Sequence, residues 1–223
     1  MKKYITIAAL LAAGTACAQA EVESGTYTLN MANWTTDDST LYNYLYGVFN
    51  EGGTLVFDLD INYTGENCGA YQALLHVGKV NTGFSIYANG GPHIIVSEQN
   101  NTNVNHELMS ASFKSGDNDV QVTLKGTAKG TASVSIDLNG IMYESAVDDL
   151  SWATMSWDTT TPGETAKYSV NCKAPGYSEQ TAQTTTLTAA TATYTAPVPE
   201  PSAFGLLAGV GALALVASRR RRR

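Results

Sequence analysis

The sequence predicts an all-β domain, an antiparallel sandwich or jelly roll with one short helix, lying between two hydrophobic terminal segments. Two observations predict it: apolar and polar residues alternate with a period of two, and many short apolar runs are separated by turn residues. The clearest run, Thr54–Tyr63, has one apolar and one polar face. Its apolar face is Leu55, Phe57, Leu59, Ile61 and Tyr63, and its polar face is Asp58, Asp60 and Asn62.

The helix is predicted near the start of the body. Its apolar residues have helical spacing, and they are Leu41, Tyr44, Leu45, Val48 and Phe49. Asp38 or Ser39 can cap its first turn, and the pair Gly52-Gly53 stops it.

The other predicted elements are short strands. They cover residues 26–31, 71–77, 84–88, 93–97, 107–113, 120–125, 132–138, 141–144, 168–172 and 184–194. Turns are predicted between them at Gly65, Gly78, residues 89–92 and 116–118, Gly126 and Asn139-Gly140.

The first 20 residues are typical of a secretory signal peptide. Lys2 and Lys3 precede an apolar core, and Ala18-Gln19-Ala20 gives a small-x-small cleavage site. The alternative is a lipoprotein acylated at Cys17, which Gly14 three positions earlier does not favour. The predicted organisation is a signal peptide at 1–20, a β-sandwich domain at 21–195 and a C-terminal signal at 196–223.

The C-terminal segment has three parts in a fixed order. A Pro-rich motif is followed by the uncharged apolar residues 203–217 and by a basic cluster. The motif is Val198, Pro199, Glu200, Pro201 and Ser202, and the cluster is Arg219, Arg220, Arg221, Arg222 and Arg223. Such a tail belongs in a membrane with its arginines on the cytoplasmic side. As a helix it would cover ~23 Å against ~30 Å of hydrocarbon, which is short for a permanent anchor.

This arrangement resembles the PEP-CTERM sorting signal of Gram-negative bacteria. The resemblance implies export through the Sec translocon, temporary tethering by a transmembrane helix, and processing by an exosortase near the Pro-Glu-Pro motif. The alternative is a plain single-span anchor with a Pro-rich stalk.

Composition excludes some partners. Of 13 Lys and Arg residues, seven lie in the two terminal signals, which leaves six against 20 Asp and Glu, a net charge of −14 when Glu200 of the Pro-rich motif is counted with the body. So acidic a body argues against nucleic acid or anionic lipid as its partner and suits cation binding.

Two cysteines remain after signal cleavage, Cys68 and Cys172. In an oxidising compartment they could form one disulfide, or both could be free and buried.

Residues 53–143 resemble the laminin G-like, or concanavalin A-like, jelly roll. The resemblance rests on the long strand 55–62, the strand that contains residues 73–78, a short strand pair and a late hairpin. It implies that the first and last strands pair. It also implies calcium at a loop edge, for which the candidate ligands are Asp117, Asp119, Asp148 and Asp149; acidic turns also occur for solubility alone.

The same jelly roll houses glycoside hydrolases, so an enzyme of this fold would need a pair of catalytic carboxylates. The nearest match places Asp58 where a nucleophile belongs and Tyr63 where the acid/base residue belongs. His106-Glu107 begins like a zinc protease motif, but Ser110 stands where the second histidine should be. No catalytic residue is therefore predicted.

Tryptophan is the remaining recognition signal, because indole faces stack on sugars. Trp34, Trp152 and Trp157 are candidates, although packing in the core is the alternative for each. The sequence thus predicts a non-catalytic adhesion or glycan-binding module of the cell envelope, surface or matrix, whose partners are polysaccharide or glycoprotein glycans. Alternatives are an atypical jelly-roll hydrolase and a purely structural matrix component. The only cofactor suggested is calcium.

Overall fold

A computed structural model of the chain describes residues 22–66, 72–79, 82–89, 93–99, 112–144, 150–153, 155, 167–172 and 183–198. Several predicted features lie outside these residues. They are the signal peptide with Ala18 and Ala20, the C-terminal signal beyond Val198, Cys68, His106, Trp157, Asp148 and Asp149.

Within the described ranges the chain forms twelve strands. They are β1 Gly25–Thr28, β2 Thr35–Asp37, β3 Thr54–Tyr63, β4 Gln72–Val77, β5 Gly83–Asn89, β6 His93–Gln99, β7 Gly116–Ala128, β8 Thr131–Leu138, β9 Ile141–Glu144, β10 Leu150–Ser151, β11 Lys167–Cys172 and β12 Thr185–Thr195. Helix α1, Thr40–Tyr46, continues into a π-helical turn, Gly47–Glu51.

The strands form two sheets, and every pairing in them is antiparallel. The larger sheet has the order β1-β12-β3-β7-β8-β10, with β9 also paired to β8, and the smaller has the order β2-β11-β4-β5-β6. Apolar residues of both sheets belong to one buried cluster. The predicted antiparallel sandwich with one short helix is confirmed.

The core forms because inward positions of both sheets are apolar. The apolar face of β3, predicted from its alternation, is buried throughout, and Asp58 and Asp60 on its other face are exposed. Phe57 of β3 stacks on Phe84 of β5 with ring centroids 5.7 Å apart, which joins the two sheets at the centre.

The first and last strands pair as the jelly-roll resemblance implied. Thr26 lies opposite Thr193, and Thr28 lies opposite Thr191. The first strand ends at Thr28 and not at residue 31, and Leu29 then turns inward to become buried.

Helix α1 begins and ends close to its predicted limits. Asp38 Oδ1 accepts a hydrogen bond from the Thr40 amide at 2.7 Å, and Gly52 ends the π-helical turn with a φ of +84°. The ring of Tyr194 from β12 stacks on Tyr44 with centroids 5.3 Å apart. A Cβ on Gly47 would collide with that ring, so the glycine allows the helix to lie against β12.

Two predicted turns were wrong. Residues 116–118 and Gly126 lie inside β7, which is longer than predicted at both ends. The Asn118 side chain is buried and bonded to backbone groups there, and a Cβ on Gly126 would meet Val48 O and Gly52. The glycine therefore serves close packing against the π-helical turn and not chain reversal.

Strands β2 and β10 were not predicted. They have three and two residues, which is too few for an alternation to show.

Both described termini leave the sandwich at the same end. Ser24 Oγ accepts a hydrogen bond from the Ala196 amide at 2.8 Å, and Glu51 Oε2 accepts one from the Val22 amide at 3.1 Å. We call this the tether end, and the opposite end, where β12 begins, the distal end. No described helix is long and apolar enough to cross a membrane; the predicted helix at 203–217 lies outside the described residues.

Candidate functional site: a polar concavity at the distal end

A concavity of about 400 Å³ opens at the distal end of the larger sheet. It lies where the end of β3, the start of β7, the first half of β12 and the β8–β9 turn meet. Its lining residues are Asp60, Ile61, Lys114, Asp117, Asn118, Asp119, Asn139 and Thr188.

Strand register brings the acidic residues together. In the antiparallel pair β3–β7, Asp60 lies opposite Asp119 and Asn62 lies opposite Asp117. Because alternate residues share a face, these side chains point to the solvent side while Ile61 and Asn118 point inward. Asn62 Nδ2 donates a hydrogen bond to Asp117 Oδ1 at 2.7 Å, which orients that carboxylate.

Asn118 forms the buried base of the concavity and is only 2% exposed. Its Oδ1 accepts hydrogen bonds from the Lys114 amide and from Asn139 Nδ2, both at 3.0 Å. Its Nδ2 donates to the carbonyls of Lys114 and Gly116, both at 2.9 Å. A single buried amide thus holds the chain before β7 against the β8–β9 turn.

The β8–β9 turn is a two-residue hairpin connection, Asn139-Gly140. Both residues have positive φ, 55° and 83°, as a type I′ turn requires, and Asn and Gly are the residues that tolerate this. Asn139 Oδ1 accepts a hydrogen bond from the Asp119 amide at 3.1 Å, so the turn is tied to β7.

Thr188 enters the concavity because β12 has an irregularity between Leu187 and Ala189. The extra residue leaves the regular ladder, and Thr188 Oγ1 donates to the carbonyl of Asp60 at 3.0 Å.

The concavity offers hydrogen-bonding groups and formal charge. Three exposed carboxylates, Asp60, Asp117 and Asp119, face one exposed ammonium, Lys114. Carboxylates accept several hydrogen bonds each and the ammonium donates three. Such an arrangement can bind a ligand rich in hydroxyl groups; no aromatic ring is among the residues that line it.

The metal prediction involves two of these residues. Among the residues that the structure describes, no group of three or more His, Cys, Asp or Glu is placed to hold a metal ion. Calcium at Asp117 and Asp119 with Asp148 and Asp149 stays a prediction, since the last two lie outside the described residues.

The hydrolase-like positions on β3 are separated by the sheet. Asp58 is exposed and its Oδ1 accepts a hydrogen bond from Gln121 Nε2 at 2.8 Å, whereas Tyr63 is buried in the core.

Neither Trp34 nor Trp152 is among the residues that line the concavity. Trp34 is 37% exposed and its carbonyl accepts a hydrogen bond from the Val170 amide at 2.7 Å. Trp152 is half-buried and contacts Tyr42, Tyr46 and Phe49, each with ring centroids 5.7 Å away. Trp152 is therefore packed against other aromatic rings. Trp157 lies outside the described part of the chain.

Cys172 is buried, with its Sγ 3.5 Å from the Val170 carbonyl. Cys68 is not among the described residues, so the disulfide stays a prediction.

Sequence reasoning selected Asp117 and Asp119, in a cluster with Asn118 between them, but missed the lining residues Lys114, Asn139 and Thr188 as parts of a site. The Asn-Gly pair was recognised as a turn, and that signal could have placed Asn139 beside the start of β7.

Residues 197–222 match the family model of the PEP-CTERM protein-sorting motif. The chain carries a PEP-CTERM sorting motif. The matched residues begin immediately after Ala196, whose amide bonds Ser24 just before β1, and the motif implies an exported protein.

No curated protein matches the chain. Among solved structures, the chain is similar to the Ruminococcus gnavus IT-sialidase CBM40 bound to alpha2,3 sialyllactose, with 15% identity, 81% of this chain and 95% of that chain covered, and a TM-score of 0.45. It is also similar to the botulinum neurotoxin serotype C1 binding domain, with 14% identity, 82% and 39% covered, and a TM-score of 0.42.

Proposed function

We propose that this chain is an exported β-sandwich module that is tethered, processed by an exosortase, and displayed on the cell envelope or in the extracellular matrix, where it binds glycans without catalysis. The observation that carries the proposal is the placement of two features at opposite ends. The sorting motif follows the tether end, and the polar concavity opens at the distal end.

The groups that line the concavity favour a glycan over an apolar molecule as its ligand. Its volume of about 400 Å³ lies within the usual range of ligand pockets, and every lining side chain except Ile61 carries a carboxylate, amide, hydroxyl or ammonium group. Sugars present hydroxyl groups that both donate and accept, so they can use all of these groups. The carboxylates of Asp60 and Asp119 would accept from sugar hydroxyls, and Lys114 would donate to them.

Binding without hydrolysis is supported by the environment of the carboxylates. Glycosidases pair one ionised carboxylate with a carboxylic acid that burial keeps protonated. Asp60, Asp117 and Asp119 are all exposed, and the position of the missing acid on β3 is the buried Tyr63.

A glycan array combined with a reducing-sugar assay on residues 21–198 tests this proposal. We expect binding with no release of reducing sugar. Asp60→Asn and Asp119→Asn should each weaken binding about ten- to a hundredfold, because a charged hydrogen bond is worth roughly 1.5–3 kcal/mol. Asp58→Asn is the matched control, since Asp58 is an exposed carboxylate on the same strand that does not line the concavity.

Other outcomes would decide against the proposal. Reducing-sugar release that disappears in Asp58→Ala and Asp60→Ala would make the module a hydrolase. Absence of any ligand would favour a structural matrix component, and binding that is equal in all variants would place the site elsewhere.

A further inference from the structure

Three half-buried aromatic side chains form a cluster at the tether end, and they are Tyr42, Tyr46 and Trp152. Trp152 contacts both tyrosines with centroids 5.7 Å away, tilted against Tyr42 and edge-on to Tyr46. The buried ring of Phe49 lies beneath Trp152 at the same centroid distance. We call these three residues the aromatic cluster.

Hydrogen bonds fix the cluster at this end of the sandwich. The Trp152 amide donates to the Gly130 carbonyl at 2.8 Å, and the Gly130 amide donates to the Phe49 carbonyl. Gly130 lies in the β7–β8 turn, which follows the end of β7. Near that end, Lys125 of β7 lies opposite Thr54, the first residue of β3. Thr54 in turn lies opposite Thr195, the last residue of β12. The aromatic cluster is therefore at the end from which the chain continues into the sorting motif.

The tether is short. The sorting motif begins at residue 197, and the apolar run that would enter the bilayer begins at Ala203. From Ala196 to Ala203 an extended chain spans at most about 25 Å. This is shorter than the ten-residue strand β3, which runs along the sandwich. While the tail is in the membrane, the tether end can lie no more than about 25 Å from the hydrocarbon, so it remains within reach of the headgroups.

The chemistry of this end suits that position. Tyr and Trp prefer the interface between headgroups and hydrocarbon, because each ring is apolar with one polar group. Charge at this end is mixed, with the exposed cations Lys125 and Lys129 near the β7–β8 turn and the exposed carboxylate of Glu23 beside Ser24, whereas three exposed carboxylates and one ammonium line the concavity at the other end. Tethering also raises the effective concentration of the cluster at the membrane, so weak contacts suffice.

We propose that the aromatic cluster is a membrane-contact surface, which rests against the headgroup region of the bilayer while the sorting tail is still attached. This rests on the tethering part of the proposed function. Contact at this end would direct the distal concavity away from the membrane.

Fluorescence quenching of the full chain in phosphatidylethanolamine and phosphatidylcholine vesicles, whose lipids carry no net charge, tests this, with a nitroxide-labelled lipid as quencher at interface depth. Trp34→Phe combined with Trp157→Phe leaves Trp152 as the reporter. Trp152→Phe combined with Trp157→Phe leaves Trp34 as the matched control, because the Trp34 carbonyl contacts β11 next to Asn171, which bonds the start of β12 at the distal end.

The Trp152 reporter should lose about half of its emission or more, since interfacial aromatic rings lie at the depth of the label. The Trp34 reporter should not change. Equal quenching of both, or none of Trp152, would overturn the membrane-contact surface. A chain that does not co-float with vesicles would overturn the membrane tether on which this proposal rests. The glycan array tests ligand binding at the concavity independently of the tether and of the membrane-contact surface.

Hydrogen exchange on the unmodified full chain avoids dependence on the tryptophan variants. Amides of residues 42–46 and 151–153 should exchange more slowly in vesicles than in dilute detergent, while those of 117–119 should not differ. The same rates at 42–46 and 151–153 in both media would contradict the proposal.

Discussion

At the scale of single residues, His76 of β4 shows how a buried polar group is made compatible with the core. Its Nε2 lies 3.0 Å from the Lys79 carbonyl, which can only accept, so Nε2 carries the proton. Its Nδ1 then accepts from the Ser85 hydroxyl at 2.7 Å. Complete burial lowers the pKa of His76 to about 4, and the ring is neutral at physiological pH.

This histidine makes stability depend on pH. Between the ordinary pKa of 6.5 and about 4, the unfolded chain binds a proton that the folded chain does not, so the free energy of unfolding falls as pH is lowered through this window. The loss approaches about 3 kcal/mol at full extent, at 1.36 kcal/mol per pKa unit.

Replacing His76 by Gln removes this titration while keeping hydrogen-bonding groups at the position. We expect the variant to be less stable than wild type at pH 7.5 and the difference between them to shrink as pH falls to 4.5. Urea denaturation of both proteins at each pH measures it, and the common carboxylate titrations cancel in the difference. Two parallel pH profiles would show that His76 is not the responsible group.

At the scale of elements, β12 is attached to the opposite sheet by side chains. Asn171 of β11 accepts a hydrogen bond from the Leu187 amide at Oδ1 and donates to the Leu187 carbonyl through Nδ2, both at 2.8 Å. Gln72 Oε1 of β4 accepts from the Thr185 amide at 3.0 Å. These bonds satisfy backbone groups of β12 where it begins and where its ladder is irregular, just before Thr188 enters the concavity.

Asn171 itself has a φ of 52°, a left-handed conformation that Asn tolerates and Ala does not. We expect Asn171→Ala to lower the free energy of unfolding by about 3 kcal/mol, from two lost hydrogen bonds and a strained backbone. Asn171→Gly loses the bonds without that strain and separates the two causes. Asn43→Ala, on the exposed side of α1, is the control and should change stability by less than about 0.5 kcal/mol in urea denaturation.

Much of the sheet architecture could be predicted because it follows from local sequence patterns. The alternation in β3 and the Asn139-Gly140 turn determine which side chains are buried and where a hairpin closes, and both were predicted. The misjudged residues, such as Gly126 and Asn118, have the composition of turns but lie in β7. Their presence in β7 is explained by contacts with distant segments: Gly126 packs against the π-helical turn, and Asn118 bonds the β8–β9 hairpin.

The candidate site was predictable only in part for the same reason. Asp117 and Asp119 stand out in the sequence, but their association with Asp60 depends on the β3–β7 register, which no local pattern specifies. Thr188 reaches the concavity through the irregularity in β12, within a run of threonines that all look alike in sequence.

At the scale of the whole molecule, the concavity and the start of the sorting motif lie at opposite ends of the sandwich. From Thr188 at the concavity to Thr195 at the tether end, an extended strand covers roughly 23 Å. Strands β12 and β3 therefore act as a rigid spacer, since their pairing is continuous along nearly all of their length. A ligand site so placed stays accessible whether the tail is still attached or has been removed.

Removal of the tail is a prediction about the mature protein. The folded body ends with β12 at Thr195 and the Ala196 contact to Ser24, so cleavage near the Pro-Glu-Pro motif would leave the sandwich intact. We expect intact-mass measurement of the protein from its native host to show a chain that lacks Arg219–Arg223.

Pro199→Ala with Pro201→Ala should leave the unprocessed chain in the membrane, because proline favours an extended backbone, which we expect recognition of the motif to require. Ser202→Ala, beside the Pro-Glu-Pro core, is the control and should be processed. Mature wild-type protein that retains Arg223 would make the tail a permanent anchor and would contradict processing.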